Sequence, residues 1–191
     1  MNSRLAVSCL LLAFFGICSM IQAQSAYRVD YFANANTAGA PDGTLRLDND
    51  GAAASVDLCA DIFVFDSNEE MSECCSCLET PDGLRTLSVS TDLTANPLTG
   101  VILTTGIFKI VAAAPYHDTC PIPSTITTVS KAEIQAWATH IQSSSNTITE
   151  AASQLSYLSS NEQMRLAQQC GAIRSVGSGA GICSCGTGTG S

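Results

Sequence analysis

The sequence predicts an α+β protein: an antiparallel β-sandwich-like region, then a C-terminal helical region and a disulfide-stapled, glycine-rich tail. Three observations predict it. Short apolar runs alternate with turn residues up to Pro115, three helix-capping signatures follow, and eight cysteines lie beyond the N-terminal apolar segment. The predicted units are residues 1–23, a signal peptide; 24–115, a β-rich domain; 116–175, a helical region packed on it; and 176–191, a Gly/Ser/Cys tail.

The N-terminus has the layout of a secretory signal. Residues 1–4 carry one positive charge, residues 5–21 are almost entirely apolar or small, and Ala23 precedes the polar Gln24. This order is typical of a cleaved signal peptide. The alternative is a membrane anchor, but the apolar run is at the lower limit of spanning length and no basic cluster follows it. We expect cleavage after Ala23, no membrane span afterwards, and a secreted, periplasmic or cell-envelope location.

Strand and turn signals alternate through the predicted β-rich domain. The predicted strands cover residues 27–32, 44–47, 56–65, 84–90, 101–103 and 107–111. The longest one alternates, with Val56, Leu58, Ala60, Ile62 and Val64 on one side and Cys59, Asp61, Phe63 and Phe65 on the other. Residues 48–51, Asp-Asn-Asp-Gly, have the composition of a hairpin turn.

Helical signals begin after Pro115. Three capping boxes pair Ser130 with Glu133, Thr147 with Glu150, and Ser159 with Glu162. Apolar residues at helical spacing follow each box: Ile134, Trp137, Ala138 and Ile141; then Ile148, Ala152 and Leu155; then Leu166, Cys170 and Ile173. The pattern predicts three helices.

Cysteine is the most informative residue type. The eight that follow the signal are Cys59, Cys74, Cys75, Cys77, Cys120, Cys170, Cys183 and Cys185. An even number in an exported chain predicts four disulfides, although the sequence does not select their pairing. Adjacent cysteines rarely bond to each other without strain, so the two clusters are expected to tie the tail to the body.

The alternative for these thiols is a metal or redox site. The C-C-x-C and C-x-C clusters offer soft ligands for copper(I) or zinc, or a thiol pair for redox exchange. Neither cluster has the two- to four-residue spacing usual for a zinc ligand pair, and His117 and His140 are the only histidines.

Charge restricts the partners. The chain beyond the signal has seven basic and seventeen acidic side chains, which gives a net charge of −10. This excludes nucleic acid and anionic membrane surfaces as preferred partners, because both require positive potential. In the acidic segment from Asp30 to Asp92, the weak calcium-ligand candidates are Asp48, Asp50 and Asp57. The EF-hand register would place Arg46 where the first aspartate belongs. A plain turn is the favoured interpretation.

No catalytic constellation is recognisable. A hydrolase needs a base beside its nucleophile, and His140 is expected at a helix surface while His117 lies in a loop. Carboxylate pairs could be drawn from Asp61, Asp66, Glu69 and Glu70, but the choice is arbitrary. The sequence therefore predicts no enzyme, no catalytic residue and no cofactor.

One segment resembles a known group of proteins. Residues 73–77, Glu-Cys-Cys-Ser-Cys, and residues 80–89, Thr-Pro-Asp-Gly-Leu-Arg-Thr-Leu-Ser-Val, are similar to a segment of exported proteins encoded in acidobacterial genomes. The resemblance covers about a third of the chain after the signal and implies a bacterial exported protein without supplying site residues. We expect a non-enzymatic structural or surface-interaction protein whose partner is another protein or a surface component.

Overall fold

The computed structural model describes residues 25–51, 56–123, 134–142 and 147–186, so the predicted signal peptide lies outside the described residues. In chain order the elements are β1 (Ser25–Ala33), β2 (Thr44–Asn49), β3 (Leu58–Asp66), β4 (Met71–Glu79), β5 (Gly83–Ser88), a π-helical turn (Val89–Leu93), β6 (Thr105–Ala113), β7 (Gln135–Gln142), β8 (Thr147–Ala152), β9 (Gln154–Leu158) and α1 (Ser160–Ser175).

The strands form two antiparallel sheets. Sheet A has the order β4-β3-β6-β1-β9, and sheet B has the order β5-β2-β7-β8. One apolar core contains residues of both sheets, such as Leu45 and Ala138 from sheet B and Ile62 and Ile110 from sheet A. This arrangement confirms the predicted sandwich.

A second core lies on the outer face of sheet A, where α1 packs. Phe63 and Phe65 of β3 meet Leu166 and Ile173 of α1 in this cluster. The other side of β3 faces the first core. Within β3 the predicted two-sided alternation is therefore correct, and it explains why eight of the nine residues are buried. Val56, which the prediction included, precedes the strand and is 51% exposed.

Among the residues that the structure describes, only one of the three predicted helices forms. The segments with Trp137 and with Ile148 are the strands β7 and β8, and β9 follows them. On a short segment, apolar residues at helical spacing also match part of the every-second-residue pattern of a strand. In β7 this alternation buries Ala136 and Ala138 against the first core, while the strand pairs with β2 and β8. Tertiary pairing therefore overrides the local signal.

The third helix is confirmed. The Ser159 side chain accepts a hydrogen bond from the backbone N–H of Glu162, as the capping signature predicts. Leu166, Cys170 and Ile173 are its buried residues. Of the predicted helical region, the described residues are thus helical only over Ser160–Ser175.

Two strand details also differ from the prediction. The turn at residues 48–51 does not close a hairpin, because β2 belongs to sheet B and β3 to sheet A. Residues 101–103 are irregular rather than a strand. Conversely, the cysteine-rich residues 71–79 form β4, which the sequence analysis did not predict as a strand.

Gly106 generates a stability prediction. A Cβ at this position of β6 would lie 2.1 Å from the carbonyl oxygen of Phe65 and 2.6 Å from the ring of Phe32. Because a backbone atom cannot rotate away, Gly106→Ala is expected to lower the free energy of unfolding by about 3 kcal/mol. Guanidinium denaturation of the oxidised protein measures this value.

Gly43→Ala is the matched control. Its Cβ would meet the Val89 side chain at 3.1 Å, and a side chain can shift. Equal losses in the two variants would contradict the close-approach explanation.

Candidate functional site

The eight cysteines form four disulfides. The pairs are Cys59–Cys120, Cys74–Cys170, Cys75–Cys183 and Cys77–Cys185. Successive side chains of a strand point to opposite faces. Cys74 therefore reaches α1 on the outer side, while Cys75 and Cys77 face the first core and hold the tail.

The tail lies beside β4 as a short parallel partner. The backbone N–H of Cys74 donates to the carbonyl of Gly181 at 2.8 Å, and that of Cys183 donates to the carbonyl of Cys74 at 3.3 Å. The Asn96 side chain also donates to the carbonyls of Gly179 and Ile182. The tail thus covers this edge of sheet A, as far as the described residues extend.

The cysteine clusters do not offer a group of thiolates that could bind a metal ion. The Sγ atoms of Cys75, Cys77 and Cys185 lie within 4.8 Å of one another, which is the only such potential ligand group among the described residues. All three sulfurs belong to disulfides. Zinc and copper(I) bind the deprotonated thiol, so the oxidised arrangement does not favour the metal alternative.

The calcium candidates lie at the ends of two strands. Asp48 is the fifth residue of β2, Asp50 is exposed just after that strand, and Asp57 directly precedes β3. Burial, followed by the nearby charges of Asp50 and Asp82, raises the pKa of Asp48. Within the described ranges, these three carboxylates do not form a ligand group.

His140 takes part in a partly buried polar cluster that the sequence analysis missed. Its Nε2 lies 2.8 Å from Oδ1 of Asp30, and Oδ2 of Asp30 accepts a hydrogen bond from Ser153 at 2.8 Å. His140 is thus not at a helix surface, since it belongs to β7 and its side chain is only 12% exposed. A hydrolase triad places histidine between serine and aspartate, whereas here aspartate is central. The cluster joins β1, β7 and the connection between β8 and β9.

His117 lies in a tight turn. It has a φ of 48° between Tyr116 and Thr119, which pair through backbone hydrogen bonds, and its ring meets that of Tyr116 edge-on. Among the acidic candidates, Asp61 is buried against Ser76 on β4, while Asp66 accepts the backbone N–H groups of Asn68 and Glu70 in the β3–β4 turn. These carboxylates have roles in the fold.

A groove of about 480 Å³ opens between sheet A and α1. Lys109 and Arg165 lie over the ring of Phe65, 5.1 and 5.4 Å from its centroid, and both bind the Glu162 carboxylate. Hydrogen bonding from Arg165 is the main cause that lowers the pKa of Glu162 to about 2. Tyr31, stacked on His140, forms another wall. Asp66 and Glu69 also line the groove, so with Glu162 three acidic side chains lie beside its two cations.

The opposite side of the sandwich is open. β8 is an edge strand of sheet B, and all six of its residues are exposed. β9 is an edge strand of sheet A, with Leu155 45% and Tyr157 66% exposed. One continuous segment, turning at the buried Ser153, therefore provides both edges at this side.

Comparisons with known proteins identify no relative of this chain. No family model, curated protein or solved structure matches the chain. Among the described residues, no helix is long and apolar enough to cross a membrane. The fold and the cysteine pairing define a disulfide-stabilised β-sandwich protein with one helix on an outer face.

Two buried carboxyl groups generate a pH prediction. Burial raises the pKa of Asp61 and of Glu73 to about 7 in each case, and the Oε2 atom of Glu73 has no hydrogen-bond partner among the described residues. The folded protein keeps the proton while the unfolded chain ionises above about pH 4. The stability contribution is therefore complete at low pH and is lost as the pH rises through 7.

We expect the free energy of unfolding to fall between about pH 4 and pH 7, by at most about 1.4 kcal/mol per pH unit for each group. Asp61→Asn should make this dependence shallower. Ser76→Ala removes a hydrogen bond that lowers the pKa of Asp61, so it should move the loss to higher pH. Denaturation curves across the range measure this, and an Asp61→Asn profile parallel to the wild-type profile would refute it.

Proposed function

We propose that the chain is an exported, non-enzymatic protein with a structural or surface-interaction role at the cell envelope or outside the cell. The observation that supports this proposal most directly is that the two sides of the sandwich differ. Three disulfides anchor α1 and the tail to β4 at one side, whereas β8 and β9 leave open edges at the other. Such a molecule resists unfolding and offers backbone groups to a partner.

Several observations support export. Four disulfides form and persist in an oxidising compartment. The N-terminal sequence has the layout of a signal peptide. The relation to acidobacterial exported proteins remains a proposal, and it agrees with this location.

Intact mass tests export and cross-linking together. The secreted protein should begin at Gln24, have a mass about 8 Da below that of its reduced chain, and take up no alkylating reagent before reduction. The same measurement after chelation should be unchanged. A chain that retains residues 1–23, reactive thiols, or a metal lost to chelator would contradict the proposal.

The proposal that the protein is not an enzyme is tested by substituting His117. In a panel of hydrolase and oxidoreductase substrates, the wild-type protein and His117→Ala should give the same background rate. His140→Ala is the matched variant at the other histidine. Turnover of any substrate that disappears with His117→Ala would overturn the proposal.

A further inference from the structure

The exposed edge of β8 has a defined set of outward backbone groups. The N–H of Ser153 donates to the carbonyl of Ala136 at 2.9 Å, so this opposed pair is hydrogen-bonded. In an antiparallel ladder such pairs alternate along the strand. Continuing the register, Ala151 and Thr149 bond to β7, and the backbone groups of Ile148, Glu150 and Ala152 point away from it.

Among the described residues, this edge lacks the usual protection against strand pairing. Edge strands are commonly guarded by lysine, proline or a covering element. The sequence of β8 is Thr-Ile-Thr-Glu-Ala-Ala, and its single charge, Glu150, is engaged by Arg46 at 2.7 and 2.8 Å. By contrast, the β4 edge of sheet A is covered by the tail.

We propose that β8 pairs antiparallel with β8 of a second copy of this chain, about a two-fold axis through Thr149. The inference rests on the proposed interaction role and names its partner. Two four-stranded sheets become one eight-stranded sheet. Ile148 of each copy lies opposite Glu150 of the other as a hydrogen-bonded pair, and Thr149 lies opposite its own counterpart without hydrogen bonds.

Charge excludes one register of this pair. An axis through Glu150 would place the two glutamates directly opposite each other, and opposed like charges destabilise a strand pair. The axis through Thr149 sets each glutamate against an isoleucine. Four interchain backbone hydrogen bonds then form, two in each Ile148–Glu150 pair.

Net charge predicts how the dimer responds to salt. Each copy carries a net charge of −10 after residue 23, so the copies repel at low ionic strength. We expect the dimer to be strengthened, not weakened, as salt is raised from about 20 to about 300 mM.

Sedimentation equilibrium of the oxidised, signal-free protein tests the pairing. The wild type should form dimers between about 1 and 200 µM, and Ile148→Pro should raise the dissociation constant at least about tenfold. The proline removes an outward N–H from each copy and leaves the ladder to β7 intact. Ile148→Ala is the matched control: it keeps the N–H and should change the constant less than about threefold.

A cysteine cross-link tests the register. Residues at a non-hydrogen-bonded antiparallel pair have Cα atoms about 4.5 Å apart, within disulfide range. Thr149→Cys should give a disulfide-linked dimer on mild oxidation, and Ala152→Cys should not. Circular dichroism and the disulfide count establish that each variant is folded.

A wild-type protein that stays monomeric at every concentration and salt level overturns the inference. A dimer that survives Ile148→Pro, or that cross-links through Ala152→Cys and not Thr149→Cys, also overturns it. These failures leave the proposed function intact, because export and cross-linking are tested separately by intact mass.

Discussion

The alternation of side chains along β4 is the constraint on which the rest of the structure depends. Cys74 points outward to α1, while Cys75 and Cys77 point inward to the tail. One nine-residue strand therefore holds a helix and a tail that follow it by about 100 residues in the chain. Such long loops are where a cross-link most restricts the unfolded chain.

Polar groups strengthen the same contacts. Arg85 forms an ion pair with Glu79 at 2.5 Å and donates to the carbonyl of Cys185, so that β5, β4 and the tail meet at one guanidinium. At the far side, Asp30 joins β1 to β7 through His140 and to Ser153. Both sheets are thus connected by partly buried hydrogen bonds as well as by apolar packing, and such bonds favour one arrangement of the sheets over others.

The two sides of the sandwich differ in what they offer to other molecules. At β4 the tail occupies the edge and two disulfides hold it there. At β8 the strand ends the sheet with every residue exposed. A sandwich cross-linked at one side can use its other side for strand pairing without loss of integrity, and this is the physical basis of the proposed interaction role.

Much of this protein follows from the sequence alone. Turn residues between apolar runs predict the sandwich, the alternation of β3 predicts two buried faces, and the Ser159 capping box predicts α1. The even cysteine count predicts four disulfides. These features depend on local periodicity or on composition, which the sequence contains directly.

Tertiary structure decided the remainder. The segment of Trp137 became a strand because β2, about 90 residues earlier in the chain, supplied a pairing partner, and the segment of Ile148 then paired with β7. The capping signatures could not reveal the contact with β2. The choice among the pairings of eight cysteines, and the Asp30–His140–Ser153 cluster, likewise depend on which strands become neighbours. Neighbour relations arise only when the chain packs, so local sequence determined the elements and packing determined the site.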